Sequence, residues 1–317
     1  MQYWHRRRAH RPYSRVRTYA ALKDAKLAGF AGYKVGMTHV IITDNRATTL
    51  TKGEQIAMPV TVIECPPLRI ASARFYKINY DGLQVEAEVF AKPEKELTRK
   101  IGIKKDTTSR LDEISKNLDA YKEIRVNVYT QPKLAGVDKK TPEFFEIGLG
   151  GTVKEQFDFV KANLGREIGV EDVFREGQQL DIHAVTKGKG FQGPVKRFGV
   201  QIRSHKAEKT VRGPGNLGPW TGNRSWTVAH AGQMGFHNRF EHNKWLLKIN
   251  HDAKTVNPSG GFLHYGNVKS SYILVKGSIG GSAKRLIRLT HAIRKSKKIP
   301  AEAAKVEQIS LASKQRR

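Results

Sequence analysis

The sequence contains a single cysteine, Cys65. One cysteine excludes a disulfide within the chain and any zinc site built from several cysteines. A lone cysteine is typical of a small buried apolar residue in a reducing, cytoplasmic setting, and Cys65 is interpreted in this way. No apolar run approaches the ~18 residues that a membrane-spanning helix needs, and the first residues contain no apolar signal core. A membrane location is therefore not expected.

Acidic residues are also scarce. There are 29 Asp and Glu against 57 Lys and Arg, which gives a formal net charge of +28. A positive field of this size favours a polyanionic partner, and nucleic acid is the commonest one. Residues 81–180 contain slightly more acids than bases, 19 against 17. The excess charge therefore lies mainly in an N-terminal segment (1–28), a central segment (187–244) and a C-terminal segment (284–317).

The N-terminal segment begins "MQYWHRRRAHRPYSRVR", with six arginines, interleaved Tyr and Trp, and no acid. Arginine pairs with phosphates, and aromatic rings stack on bases. We expect residues 1–28 to be a basic extension that becomes ordered on RNA, with contacts from Arg6, Arg7, Arg8 and Arg11. A solvated, disordered tail is the alternative.

The central segment combines many glycines with basic and aromatic residues. Its stretch "RGPGNLGPWTGNRSW" holds two tryptophans and almost nothing that could build a core around them. Lysine and arginine suit phosphates, glycine permits close backbone approach, and Trp, Phe and His suit stacking. The predicted RNA contacts in this segment are Lys187, Lys189, Lys196, Arg197, Arg203, Lys206, Lys209, Arg212, Trp220, Arg224, Trp226, His230, Gln233, His237 and Arg239.

The rest of the chain is predicted to be mainly β. Strand-like runs with short connections occupy residues 29–45, 58–65 and 68–90, and further runs follow residue 177 and flank the central segment. Pro66 and Pro67 stop the second run, and the third is broken near Asp81-Gly82, as in a hairpin. Many short strands with short connections favour an antiparallel barrel or sandwich, from which the central segment emerges as a long loop. The runs after residue 177 include "KWLLKIN", "GFLHYG" and "SSYILVKG".

Helical signals are few. "SRLDEISKNL" has a candidate N-cap at Ser109, and Thr152 with Glu155 has capping-box spacing in a helix that closes at Gly165. Residues 93–165 are therefore predicted to be an α+β insertion. The stretch "AKRLIRLTHAIRKSKKIP" can form a short basic amphipathic helix that Pro300 ends.

No constellation for catalysis, metal or cofactor binding is identified. "TKGKG" lacks the P-loop spacing, no G-x-S-x-G is present, and His230, His237 and His242 do not share a helix face. Two alternatives stay open on residue types alone. One is an RNA-modifying or RNA-processing enzyme with an electrostatic groove, and the other is a DNA-binding protein that uses the N-terminal arginines.

Four stretches carry a resemblance to a known family: "GYKVGMTHV", "VTVIECPPLRI", "VTKGKGFQG" and "HAGQMGFHNR". In this order they resemble the universal large-subunit ribosomal protein L-three family, in its archaeal form. The resemblance implies a closed β-barrel of the translation-protein type (29–92 plus 166–283). It also implies an inserted domain (93–165), an N-terminal extension (1–28), a central extension (187–244) and a basic C-terminal helix or tail (284–317).

The resemblance also implies a function. It implies a structural protein of the cytoplasmic ribosome, without cofactor, metal or catalytic residues, that binds 23S-type rRNA and nucleates assembly of the large subunit. Its central extension would reach toward the peptidyl-transferase centre, with Trp220 at the tip. The implied partners are this rRNA, neighbouring large-subunit proteins and, indirectly, A-site tRNA, with no membrane and no second copy of the chain. Val211 stands where the eukaryotic pattern has a methylated histidine, so that modification is not expected.

Overall fold

The structure is a computed structural model that describes residues 3–102, 106–207, 209–219, 222 and 226–312. These residues form fourteen strands and four short α-helices, so the prediction of a mainly β chain is confirmed. Within this part of the chain, none of the helices has the length and apolar composition needed to cross a membrane.

The elements follow one another along the chain with mostly short connections. The strands are β1 (Gly29–Thr43), β2 (Gln55–Glu64), β3 (Leu68–Asn79), β4 (Gly82–Phe90), β5 (Glu123–Tyr129), β6 (Phe144–Gly148), β7 (Glu167–Ile168), β8 (Gln179–Val185), β9 (Phe191–Gln192), β10 (Gly232–Gln233), β11 (Asn238–Asn250), β12 (Tyr272–Lys276), β13 (Leu286–His291) and β14 (Val306–Ile309). The helices are α1 (Lys95–Thr98), α2 (Arg110–Ser115), α3 (Val153–Asn163) and α4 (Pro194–Phe198).

Six strands of the first sheet pair in a ring. Strand β1 pairs with β2, β2 with β12, β12 with β11, β11 with β8, β8 with β13, and β13 again with β1, all antiparallel. Strand β1 is long enough to pair twice along one edge, with β13 near its start and with β14 near its end. Close approach within the ring requires glycine at Gly32, where a Cβ would lie 2.6 Å from the Cys65 sulfur.

The second sheet has the order β4, β3, β5, β6, with β7 beside the start of β3. Strands β3 and β4 fall within the range that the sequence assigned to the barrel, yet they pair with each other, and β3 pairs on its other edge with β5 of the predicted insertion. The chain changes sheets at Pro66 and Pro67, which cannot donate ladder hydrogen bonds. The hairpin turn at Asp81–Gly82 lies where the sequence placed it, and Gly82 has a φ of +103°.

Helix α3 covers the second sheet with Phe157 and Val160. Its capping box is confirmed, because Thr152 and Glu155 exchange side-chain-to-backbone hydrogen bonds. Helix α2 also forms where predicted, but the Ser109 side chain makes no capping hydrogen bond.

Two local predictions are wrong. The expected helix within residues 284–300 is strand β13 followed by turns, and all six residues of β13 are buried between β1 and β8. Pairing on both edges outweighs the helix-compatible spacing of its apolar residues, because burial stabilises more than local propensity. "GFLHYG" forms a turn closed by a bridge between Phe262 and Gly266.

The larger apolar core includes side chains of both sheets. Trp245 and Tyr272 belong to the ring, Phe75 belongs to the second sheet, and all three are at most 1% exposed. Cys65 lies in the same core, so its interpretation as a buried apolar residue is confirmed. Burial, and then the neighbouring Glu64, raise the pKa of its thiol.

Candidate nucleic-acid interface

The central extension leaves and re-enters the ring at one place. Strands β8 and β11 are antiparallel neighbours, and Val185 faces Asn238. Residues 186–237 therefore start and finish side by side, and the place where they leave and rejoin the ring is called the root of the extension. The short strands β9 and β10 pair just beyond the root. The predicted segment 187–244 thus includes the first half of strand β11.

Arg197 of helix α4 stabilises the root. Its Nε donates to the carbonyl oxygen of Gln233 at 3.1 Å, and its Nη1 donates to that of His230 at 2.9 Å. Burial, and then the charge of Arg6, lower the pKa of Arg197. Gln233, predicted to contact RNA, instead donates its side-chain amide to the carbonyl oxygens of Met234 and Gly235.

The N-terminal extension docks against this root. The Ala9 amide donates to the Phe236 carbonyl oxygen at 2.8 Å, and the Ser14 hydroxyl donates to the Asn238 side chain at 3.1 Å. The ring nitrogen Nδ1 of His237 lies 2.8 Å from the carbonyl oxygen of Arg7. Two segments more than two hundred residues apart in sequence thus form one basic surface.

The predicted contact residues have different environments. Arg6, Arg197, Arg203 and Gln233 are half-buried, and His237 is buried. The other described ones are exposed, namely Arg7, Arg8, Arg11, Lys187, Lys189, Lys196, Lys206, Lys209, Arg212, Trp226, His230 and Arg239. Trp220 and Arg224 lie outside the described residues.

The exposed cations of this surface have no acidic partner among the residues that the structure describes. Within the described ranges, no Asp or Glu oxygen lies within 4 Å of the exposed Lys and Arg side chains named above. In the second sheet, by contrast, Arg74 pairs with Glu88 and Arg125 pairs with Glu123. The excess positive charge is therefore available to an external anion.

Near the end of the extension, Trp226 folds back onto Gly218. Gly218 has a φ of +93°, and a Cβ on it would lie 2.5 Å from the Trp226 ring. The Trp226 side chain is still 55% exposed. The turn is supported by the Asn216 side chain, which accepts a hydrogen bond from the Gly218 amide at 2.9 Å.

Three aromatic side chains of this surface are not among the predicted contact residues. Tyr3 and Trp4 belong to the N-terminal aromatics for which stacking was expected, and Phe198 was not singled out. Together with Arg6 and Arg197 they line a cavity of about 650 Å³ between the N-terminal segment and helix α4. The signal that could have identified Phe198 is its position directly after two basic residues in "KRF".

The sequence matches the family described as Ribosomal protein L3 over residues 1–316. The chain belongs to this family. Its relatives include the large ribosomal subunit protein uL3 of Methanosphaera stadtmanae, 46% identical over 98% of this chain and 95% of the relative. The proteins of the same name from Methanothermobacter thermautotrophicus and Archaeoglobus fulgidus are each 44% identical over 98% of this chain, and over 95% and 96% of their own lengths.

These matches confirm the resemblance and its archaeal form. Ribosomal protein L3 is a family of structural ribosomal proteins, so membership also confirms the prediction that the chain is not an enzyme. The RNA-modifying alternative is thereby set aside.

Proposed function

We propose that the chain is a structural component of the large ribosomal subunit and binds 23S-type rRNA with its N-terminal and central extensions. The observation that carries this proposal is the basic surface formed where the two extensions meet. Its exposed cations have no carboxylate partners in the described ranges, so phosphates would replace water and counterions around them. The names of the relatives support the same assignment.

The proposed mechanism is scaffolding. Lys and Arg side chains neutralise phosphates, which lets RNA segments pack closely, and glycines let the backbone approach them. The central extension would extend toward the peptidyl-transferase centre and the A-site tRNA path, with Trp220 at its tip. Neighbouring large-subunit proteins would contact the remaining surface, and the chain would act as a single copy in the cytoplasmic ribosome.

We also propose that the ring of six strands is the closed barrel implied by the family resemblance. The cyclic order of its pairings supports this, because each strand has a neighbour on both sides. The division into a barrel body (29–92 plus 166–283), an insertion (93–165) and three basic segments (1–28, 187–244, 284–317) is proposed with it, with two changes. Strand β13 of the last segment belongs to the ring, and strands β3 and β4 belong to the sheet of the insertion.

The test is a salt titration of binding between the purified chain and a large-subunit rRNA fragment. We expect log K to fall steeply and linearly with log salt concentration, because bound cations release counterions from the RNA. The double variant Lys187→Gln, Lys189→Gln should reduce the slope by about 1.5, at ~0.7–0.9 for each phosphate that the variant no longer neutralises. A binding constant that barely changes with salt would contradict the proposal.

The matched control is Lys116→Gln, Lys122→Gln. It removes the same charge from exposed positions in the near-neutral part of the chain. Its slope should equal that of the unmodified chain. Equal slopes for the two double variants would show that total charge, and not this surface, determines binding.

A further inference from the structure

The cavity between the two extensions has the size of a ligand site. One wall is the segment Tyr3–Arg7, and the other consists of Arg197, Phe198 and the segment His237–Arg239. Its volume of about 650 Å³ lies within the range of ~300–1,000 Å³ that is usual for small-molecule sites. A nucleotide is of this size.

The charge of the walls selects an anion. Four guanidinium groups line the cavity, and its lining includes no carboxylate. Burial, and then the charge of Arg6, lower the pKa of Arg197, so these two guanidinium groups repel each other. A phosphate would relieve the repulsion, and its oxygens match the paired N–H groups of a guanidinium.

The aromatic rings of the cavity offer a stacking surface beside these charges. The guanidinium of Arg6 lies 4.3 Å from the centre of the Phe198 ring, and the Tyr3 ring meets the same ring edge-on at 5.3 Å. The Trp4 side chain is 62% exposed, so the protein leaves most of it uncovered. Rings next to arginines are the usual platform for an unpaired RNA base.

His237 adds a hydrogen-bond acceptor at the same wall. Its Nδ1 faces a carbonyl oxygen, which can only accept, so Nδ1 carries the hydrogen and Nε2 of the neutral ring is an acceptor. Nε2 is buried and has no partner among the residues that the structure describes. The wall therefore contains a hydrogen-bond acceptor that none of the described residues satisfies.

We propose that this cavity binds one unstacked nucleotide of the RNA, with its phosphate on the arginines and its base against Trp4 and Phe198. This proposal rests on the proposed function and specifies the form of RNA that one part of the surface recognises. A duplex does not fit the same chemistry, because its bases hide both faces in the stack and their edges in pairs. The ligand class is therefore a single-stranded or bulged nucleotide.

The experiment compares two RNA probes on the full-length chain, a single strand of about ten nucleotides and a blunt duplex with the same number of phosphates. Trp4→Ala should weaken single-strand binding roughly tenfold, within the range measured for loss of one stacking ring, and leave duplex binding within about twofold. Trp4→Phe should restore most of the lost affinity. Because Trp4 is exposed, the thermal midpoint of each variant should equal that of the unmodified chain.

The matched control is Tyr80→Ala, which removes a fully exposed ring from the turn between β3 and β4 and should change neither affinity. A second readout is photocrosslinking of a 4-thiouridine single strand, which should label peptides containing Trp4 and Phe198. An equal loss for both probes, no loss with Trp4→Ala, or crosslinks only elsewhere would overturn the nucleotide site while leaving RNA binding intact. Failure of the unmodified chain to bind either probe would overturn the proposed function itself.

Discussion

Strand β13 places two titratable side chains inside the protein. The Nη2 of Arg288 donates to the Glu146 carbonyl oxygen at 2.6 Å and to the Tyr19 hydroxyl at 3.1 Å, so it links the ring to the second sheet. Burial lowers the pKa of Arg288, and Tyr19 partly offsets this. His291 packs edge-on against Phe174, with ring centres 4.8 Å apart, and burial lowers its pKa to about 4.

The lowered pKa of His291 predicts acid sensitivity. The unfolded chain binds a proton at this histidine below pH 6.5, whereas the folded chain does so only near pH 4. The unfolding free energy should therefore be unaffected by this group above pH 6.5 and should fall as the pH drops from 6.5 to 4. Burial also lowers the pKa of His183 to about 4. His183 should therefore add to this decrease of the unfolding free energy in acid.

Urea unfolding at pH 7 and pH 4.5 tests this directly. His291→Phe keeps an aromatic ring against Phe174 and removes the titrating group, so its stability should decline less between the two values. The quantity compared is the difference in unfolding free energy between pH 7 and pH 4.5. A substitution that lowers stability equally at both pH values leaves this difference unchanged. An undiminished decline in His291→Phe would show that other groups cause the acid sensitivity.

At the scale of elements, the central extension combines a fixed root with a turn held by one close contact. The root is held by β9, β10 and the hydrogen bonds of Arg197. The turn depends on Trp226 lying against a glycine with positive φ. The two parts should respond differently to substitution.

Gly218→Ala should open this turn and leave the ring intact. The new Cβ would meet the Trp226 ring, and the left-handed backbone disfavours a side chain by roughly 1 kcal/mol. Tryptic cleavage at Arg212 should accelerate several-fold, with an unchanged midpoint of global unfolding. Gly215→Ala is the control, because Gly215 has a φ of +54° and a Cβ added there would have no atom within 4 Å. Equal cleavage rates in the two variants would contradict the role of the contact between Gly218 and Trp226.

At the scale of the whole molecule, the apolar core and the excess positive charge lie in different parts of the chain. The two sheets share the larger apolar core and pair many of their charged groups, whereas the extensions expose cations without carboxylate partners in the described ranges. The body should therefore fold without the central extension, since the extension contributes little to that core.

Replacing residues 193–231 by a four-residue Gly/Asn turn tests this separation. Gln192 and Gly232 already face each other, so a hairpin turn can join them. The thermal midpoint should change by only a few degrees, because a shorter loop costs little closure entropy. Binding to the rRNA fragment should weaken at least tenfold. Loss of cooperative unfolding would show that the extension is part of the folding unit.

Local patterns predicted much of the body. The long apolar strands, the break at the two prolines and the Thr152 capping box are specified by neighbouring residues, so the sequence alone located them. Strand β13 was missed because its apolar spacing also suits a helix, and only its partners β1 and β8 decide the outcome.

The candidate site was predicted in part. Its charged residues were identified by type, since an excess of Lys and Arg is visible in composition. The cavity was not predicted, because it depends on the distant pair Arg7 and His237 and no local pattern specifies that contact. Trp220 and Arg224 remain predictions from the sequence.

The pairing of β1 with β13 also has a consequence during synthesis. Strand β1 is synthesised more than two hundred residues before its partners β13 and β14. One edge of β1 therefore stays unpaired until these later strands have left the ribosome. During that interval the nascent chain exposes this edge to other strands, so the risk of aggregation falls only when β13 and β14 have been made.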